Sequence, residues 1–267
     1  MGERVTWAAV ARAAGGLSQR DRAILANVAK VRVLTGRQIE RLHFGELQGA
    51  YRDRNRRRVL ERLAARQLLA ALDRRIGGVR AGSAGLVFAL GPAGQRLLAL
   101  EAIGNLGGRA RRPSTPTDRF LMHNLAASEL YVGLVEADRA GSLTLVSFQA
   151  EPDCWWRDSE GEWVKPDAYA VVSAEAVQDS WAVEVDMGTE SVPTLRRKLA
   201  AYLGLVEQGE SGPNGGVLPR VLVTVPDKRR RTVLRGVVSG LPPPAAELVM
   251  VVLQDEACPR IVQVLRE

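Results

Sequence analysis

Acidic residues in the second half of the chain have the types and spacing of a metal-dependent hydrolytic site. Asp167 lies in a predicted strand, and Glu184 and Asp186 end the next one, where alternation puts both on one face. Mg²⁺ and Mn²⁺ prefer such oxygen ligands, and Lys198 on the following helix could neutralise phosphate charge. We therefore predict, if the site is active, catalytic Asp167, Glu184 and Lys198, and a metal held by Asp167, Glu184, Asp186 and Glu129.

A second candidate site is the basic stretch from Ala50 to Arg66. Val59, Leu60 and Leu63 share one face, which predicts an amphipathic helix. Seven arginines occupy the rest, with only two acidic residues on the same helix. Because arginine reads guanine and asparagine reads adenine, we interpret this helix as a DNA-recognition helix. The predicted DNA contacts are Arg52, Arg54, Asn55, Arg57, Arg58 and Arg62, with Arg74, Arg75 and Arg80 in the loop that follows.

The elements around this helix have the order of a winged helix-turn-helix. Ser18 is a predicted N-cap with Asp21 in the capping-box position, and a short helix introduced by Leu34-Thr35 precedes the basic helix. Two predicted strands, at 68–72 and 85–90, then flank a loop rich in glycine and arginine. The arginines of this wing would meet the DNA backbone or the minor groove.

The second half alternates strands and helices, which indicates an α/β sheet. The predicted helices are 118–138, 193–207 and 229–239, and the predicted strands are 143–148, 164–172, 181–186, 220–225, 248–253 and 261–264. We expect a loose leader at 1–16, a DNA-binding domain at 17–106, a linker at 107–117 and the α/β domain at 118–267.

Charge divides the chain in the same way. Residues 1–112 contain 22 Lys and Arg against 8 Asp and Glu, a net +14, while residues 113–267 contain 15 against 22, a net −7. A basic half of this kind favours a polyanionic partner, and double-stranded DNA is the leading one. Two widely spaced cysteines and the lack of a long apolar run predict a cytoplasmic protein without a membrane contact.

The second half resembles the PD-(D/E)xK nuclease-like fold. Pro166-Asp167 matches the first signature of that fold, and Glu184-Val185 begins the second. The lysine of the family is replaced here by Asp186, and Lys198 is placed to supply that charge from the neighbouring helix, as some members of the superfamily do. The resemblance implies Mg or Mn as cofactor if the site works, and the replacement predicts weak or absent cleavage.

Most of the chain resembles the replication-relaxation family of actinobacterial plasmids and mobile elements. The segments that carry the resemblance are LSQRDRAIL at 17–25, LTGRQI at 34–39, LHF at 42–44, RRVLERL at 57–63, FALGPAG at 88–94, KPDA at 165–168 and EVDMGTES at 184–191. The resemblance implies a winged-helix DNA-binding protein linked to plasmid replication or DNA topology.

Together these observations predict an α+β and α/β protein, with an N-terminal winged helix-turn-helix and a C-terminal PD-(D/E)xK-like sheet domain. The expected function is double-stranded DNA binding in replication or transcriptional control of a plasmid or mobile element. Two alternatives stay open: a metal-dependent nicking or cleaving nuclease aimed by the winged helix, and an acidic domain used for dimerisation or partner docking. A homodimer and contacts with replication or mobile-element proteins are the further partners expected.

Overall fold

The computed structural model describes residues 14–75, 85–103 and 117–267, and it divides into two compact units, Met1–Ser128 and Glu129–Glu267. Arg80, most of the predicted leader at 1–16 and all but the last residue of the predicted linker at 107–117 lie outside the described residues. The side chains of Arg74 and Arg75 also lie outside them.

The first unit combines helices with a small antiparallel sheet. Its elements are α1 (Gln19–Val31), β1 (Val33–Thr35), α2 (Gly36–His43), α3 (Gly49–Ala65), β2 (Leu69–Arg75), β3 (Leu86–Leu90) and α4 (Pro92–Ile103). The three strands are ordered β1-β3-β2, and both pairings are antiparallel. The predicted sequence of three helices and two strands is therefore confirmed, and β1 is an additional strand where a helix start was expected.

Side-chain caps define where the first helices begin. Ser18 accepts a hydrogen bond from the Asp21 backbone N–H, and the Asp21 carboxylate accepts one from the Ser18 N–H, so the predicted capping box is confirmed. Thr35 and Gln38 form a second capping box at the start of α2. These two caps fix the entry points of the helices that pack beneath α3.

Helix α5 (Asp118–Arg139) contributes its first turns to the core of the first unit. Leu121 and Leu125 are buried with residues of the small sheet, and the Ser128 hydroxyl donates to the carbonyl of Val33 at 2.8 Å. The division between the two compact units falls inside this helix, after Ser128.

The second unit is built on a mixed five-stranded sheet of order β10-β9-β8-β7-β4. Its elements after α5 are β4 (Thr144–Ala150), β5 (Trp156–Arg157), β6 (Trp163–Val164), β7 (Ala168–Ala174), β8 (Val177–Val185), α6 (Val192–Glu207), β9 (Arg220–Val225), α7 (Lys228–Ser239), α8 (Ala245–Leu248), β10 (Val249–Leu253) and α9 (Ala257–Val264). Strands β8, β9 and β10 are parallel, and β4, β7 and β8 pair antiparallel.

Two of the predicted strands differ from the structure. The strand expected at 261–264 is wrong, because these residues belong to helix α9, whose buried Ala257 and Ile261 are four residues apart and so lie on one helical face. The strand expected at 164–172 is divided between the β5–β6 hairpin and β7, and Asp167 lies just before β7. None of the helices in the described ranges combines the length and apolarity needed to cross a bilayer.

Candidate nucleic-acid interface and carboxylate site

The arginines of α3 form two groups with different surroundings. Arg54, Arg57 and Arg58 are exposed, and their spacing of three and four residues puts them on one outward face of the helix. The opposite face is buried and carries Val59, Leu60 and Leu63, as the sequence predicts. The outward face is therefore a cationic surface of three guanidinium groups, which we call the arginine face.

The second group holds α3 against the helices before it. Arg56 is buried and forms an ion pair with Glu40 of α2, and the Arg52 Nε lies 3.1 Å from the other Glu40 oxygen. The Arg62 Nη2 donates to the buried Asp21 of α1 at 2.7 Å. Two predicted DNA contacts, Arg52 and Arg62, thus have carboxylate partners from other helices.

Asp21 is held in its charged form by this arrangement. Burial acts to raise the pKa of its carboxyl, but the hydrogen bonds from Arg62 and Ser18 outweigh burial and hold that pKa below its usual range. The ionised Asp21 therefore has two structural tasks, because it caps α1 and anchors Arg62 of α3.

The first turn of α3 adds a residue that sequence reasoning missed. Tyr51 has 61% of its surface exposed, beside the arginine face. Asn55 is half-buried, and its side-chain oxygen accepts a hydrogen bond from Arg58 at 3.4 Å. The sequence does point to Tyr51, because it lies near the start of the basic helix and outside the apolar face of Val59, Leu60 and Leu63. An aromatic side chain at that position is therefore expected to be exposed.

The carboxylate site lies where β7 begins and β8 ends, because these strands run antiparallel. Asp167 precedes β7, and its Oδ2 accepts the backbone N–H of Val185 at 2.7 Å. Glu184 is 3% exposed, forms an ion pair with Lys198 of α6, and accepts a hydrogen bond from the Tyr202 hydroxyl at 2.5 Å. The structure therefore brings Asp167, Glu184 and Lys198 together.

Protonation in this site is strongly perturbed. Burial and the neighbouring Asp167 raise the pKa of Glu184 to about 8, against the opposing effect of Lys198. Burial acts to lower the pKa of Lys198, but the attraction of Glu184 and Asp167 outweighs it and raises that pKa. At neutral pH a divalent cation at Glu184 would compete with a proton and with the ammonium of Lys198.

The remaining predicted ligands have other surroundings. Asp186 is 2% exposed and accepts hydrogen bonds from Arg230 of α7 on both of its oxygens, and Arg230 also donates to the Glu190 carbonyl at 2.7 Å. Glu129 is exposed on α5. Within the described ranges, no three Asp, Glu, His or Cys side chains are grouped to hold one metal ion.

Two carboxylates nevertheless fit one class of metal site. Mg²⁺ is commonly held by one or two carboxylates, with waters and substrate phosphates completing its coordination. Asp167 and Glu184 would be those two ligands, and the ion would supply charge neutralisation at a phosphate. The present hydrogen bonds of Glu184 would have to open for that.

Sequence reasoning missed two partners of the buried carboxylates. Tyr202 holds Glu184 at the end of β8, and Arg230 holds Asp186 just after that strand. Tyr202 lies one helical turn after Lys198, a spacing that puts both on one face of α6. Arg230 belongs to a basic run at the start of α7, and its pairing is visible only once β8 and β9 are adjacent.

Comparison with known proteins identifies the family of the chain. Neither a curated protein nor a solved structure is similar enough to the chain to be recognised as a relative. The model of the replication-relaxation family matches residues 25–221, which include α3, the carboxylate site and most of both units. This match spans well over half of the 267 residues, so the chain belongs to the replication-relaxation family.

Proposed function

We propose that the first unit is a winged helix-turn-helix that binds double-stranded DNA, and that the protein acts through it in replication or transcriptional control of a plasmid or mobile element. The observation that carries the proposal is the arginine face of α3, with Arg54, Arg57 and Arg58 exposed on a helix that α1 and α2 hold in place. Family membership supports the replication or mobile-element context.

The proposed binding mode places α3 in the major groove. Guanidinium groups on its outward face then reach base edges or phosphates. The net charge of +14 on residues 1–112 attracts the duplex before specific contacts form. Arg56 and Glu40 contribute by fixing the angle at which α3 is presented.

Replacement of Arg54, Arg57 and Arg58 by alanine in the full chain tests this proposal. Duplex affinity should fall, and the slope of log affinity against log salt should decrease by about 0.9 for each phosphate that the variant no longer neutralises. Arg229→Ala removes one exposed charge from the second unit and is the control. Unchanged affinity in the triple variant, or an equal decrease in the control, would contradict the assignment.

A second candidate function is metal-dependent DNA nicking by the second unit, in a fold of the PD-(D/E)xK type. The convergence of Asp167, Glu184 and Lys198 favours it. In this mechanism Asp167 and Glu184 would hold the ion, which would neutralise phosphate charge, and Lys198 would stabilise the charge that develops on the scissile phosphate. Asp186, in the position of the family's lysine, is neutralised by Arg230, so we expect cleavage to be weak or absent.

Incubation of supercoiled plasmid with the protein and Mn²⁺ tests the second candidate. Glu184→Gln keeps the size of the side chain and its hydrogen bond with Tyr202 but removes the charge that a metal needs. Robust nicking that disappears in Glu184→Gln, with folding and DNA binding retained, would establish the nuclease and overturn the non-catalytic preference.

A further inference from the structure

The β5–β6 hairpin of the second unit presents aromatic rings flanked by cations. Arg157 and Trp163 are directly paired across the hairpin, and the Arg157 guanidinium lies 4.3 Å from the centre of the Trp163 ring. Trp155 contacts Trp163 edge to face, with ring centres 6.4 Å apart, and the Lys165 Nζ lies 5.2 Å from the Trp155 ring. We call residues 155–165 the aromatic hairpin.

The aromatic hairpin is rigidly anchored. Trp156, which alternates with Trp155, is 7% exposed and joins the core beside Tyr169. At the other end, the Asp158 side chain accepts the backbone N–H groups of Glu160 and Glu162 at 3.0 and 2.8 Å, which closes the turn. The rings are thus held in place before any ligand arrives, so little conformational entropy is lost on binding.

One ring of this cluster is open to solvent. Trp163 keeps 47% of its surface exposed although tryptophan usually buries most of its area. An exposed indole beside a guanidinium and an ammonium matches the chemistry of an unpaired nucleotide, whose base stacks and whose phosphate is anionic.

We propose that the aromatic hairpin binds single-stranded DNA, with an unpaired base stacked at Trp163 and phosphates near Arg157 and Lys165. Duplex DNA fits this surface poorly, because its bases are stacked inside the helix and the unit as a whole is acidic. Lys165 is separated from Asp167 only by Pro166, so the bound strand passes beside the carboxylate site. Single-strand binding at this hairpin depends neither on duplex binding by the first unit nor on catalysis.

Binding of a labelled oligothymidylate to the full chain tests the proposal by fluorescence anisotropy. Trp163→Ala should weaken it by about tenfold, the effect of losing one stacked base, and Trp163→Phe should restore part of the affinity. Val217→Ala, at an exposed apolar residue of the same unit, is the matched control and should bind as the parent does. Duplex affinity should be unchanged in all three variants.

A photocrosslink locates the binding surface independently. An oligonucleotide containing 5-bromodeoxyuridine should crosslink to the peptide that contains Trp155 and Trp163, and the crosslink should be absent in Trp163→Ala. Unchanged oligothymidylate affinity in Trp163→Ala, crosslinks confined to the first unit, or an equal decrease in duplex affinity would each overturn the proposal. Tighter, Trp163-dependent binding of oligouridylate would reassign the surface to RNA.

Discussion

Arg56→Ala should destabilise the first unit far more than Arg57→Ala, although the two arginines are adjacent on one basic helix. The Arg56 side chain is 7% exposed and its partner Glu40 is 11% exposed, so the alanine variant leaves a carboxylate in a poorly solvated site. Arg57 is exposed, and its substitution removes only solvated charge.

The size of the effect follows from the burial of the pair. Removing one partner of a buried ion pair costs about 3–5 kcal/mol. Arg52 still lies 3.1 Å from Glu40 and offsets part of the loss, so we expect the lower end, about 3 kcal/mol. For Arg57→Ala the change should stay within about 0.5 kcal/mol. Joint replacement by Glu40→Leu and Arg56→Met should cost much less than Arg56→Ala, because the buried pair is removed whole and only the partly exposed Arg52 loses a partner.

Hydrogen exchange measured by mass spectrometry is the suitable assay, since peptides from α2 and α3 report on the first unit alone. Tryptophan fluorescence serves as the control, because four of the five tryptophans lie in the second unit and its unfolding should not change. Duplex binding completes the comparison: Arg57→Ala should weaken it without loss of protection. Equal and small losses of protection in Arg56→Ala and Arg57→Ala would refute the assignment of Arg56 as a structural residue.

Three further predictions concern single residues. The pKa of Asp21 lies below its usual range, so Asp21 stabilises the first unit fully above about pH 4, and this stabilisation is lost as the pH falls through the pKa of the folded state. Thermal unfolding of Asp21→Asn, measured against pH, should lack this acid-dependent loss. Burial raises the pKa of Cys154 to about 12, so iodoacetamide at neutral pH should label Cys258 well before Cys154. Peptide mapping of the labelled protein measures this order, and faster labelling of Cys154 would contradict its burial. Gly94→Ala should lower the melting temperature of the first unit, because the added Cβ would lie 2.2 Å from the Leu68 carbonyl oxygen. This clash outweighs the gain in helix propensity of about 1 kcal/mol, and a rise in melting temperature would show that the backbone relaxes.

Local signals in the sequence were sufficient for most helices and strands. The capping box at Ser18 and Asp21 and the apolar face of α3 depend on residues within a few positions of one another, so a single segment contains the whole pattern. The segment at 261–264 failed because a run of four residues with Ile and Val fits a strand and a helix equally well. The residues that bury one side of this segment belong to other elements of the fold, so the segment alone does not show whether a helix or a strand forms.

The candidate sites were predictable in their residue types and not in their pairings. Asp167, Glu184 and Lys198 were found from strand alternation and helix order, and the fold brings them together. The partners Glu40 and Arg230 were not found, because two residues that form an ion pair between distant elements have no characteristic spacing in the sequence. The arginine count on α3 therefore overstated the positive charge that this helix exposes.

The pairing of Asp186 with Arg230 makes either residue difficult to change alone. Asp186→Lys alone would place an ammonium beside a guanidinium, in a position that is 2% exposed. A change of Arg230 first would instead leave a buried carboxylate without its cation. Each order of substitution passes through a destabilised protein, so folding stability alone, independently of any activity, favours keeping both residues or changing both together.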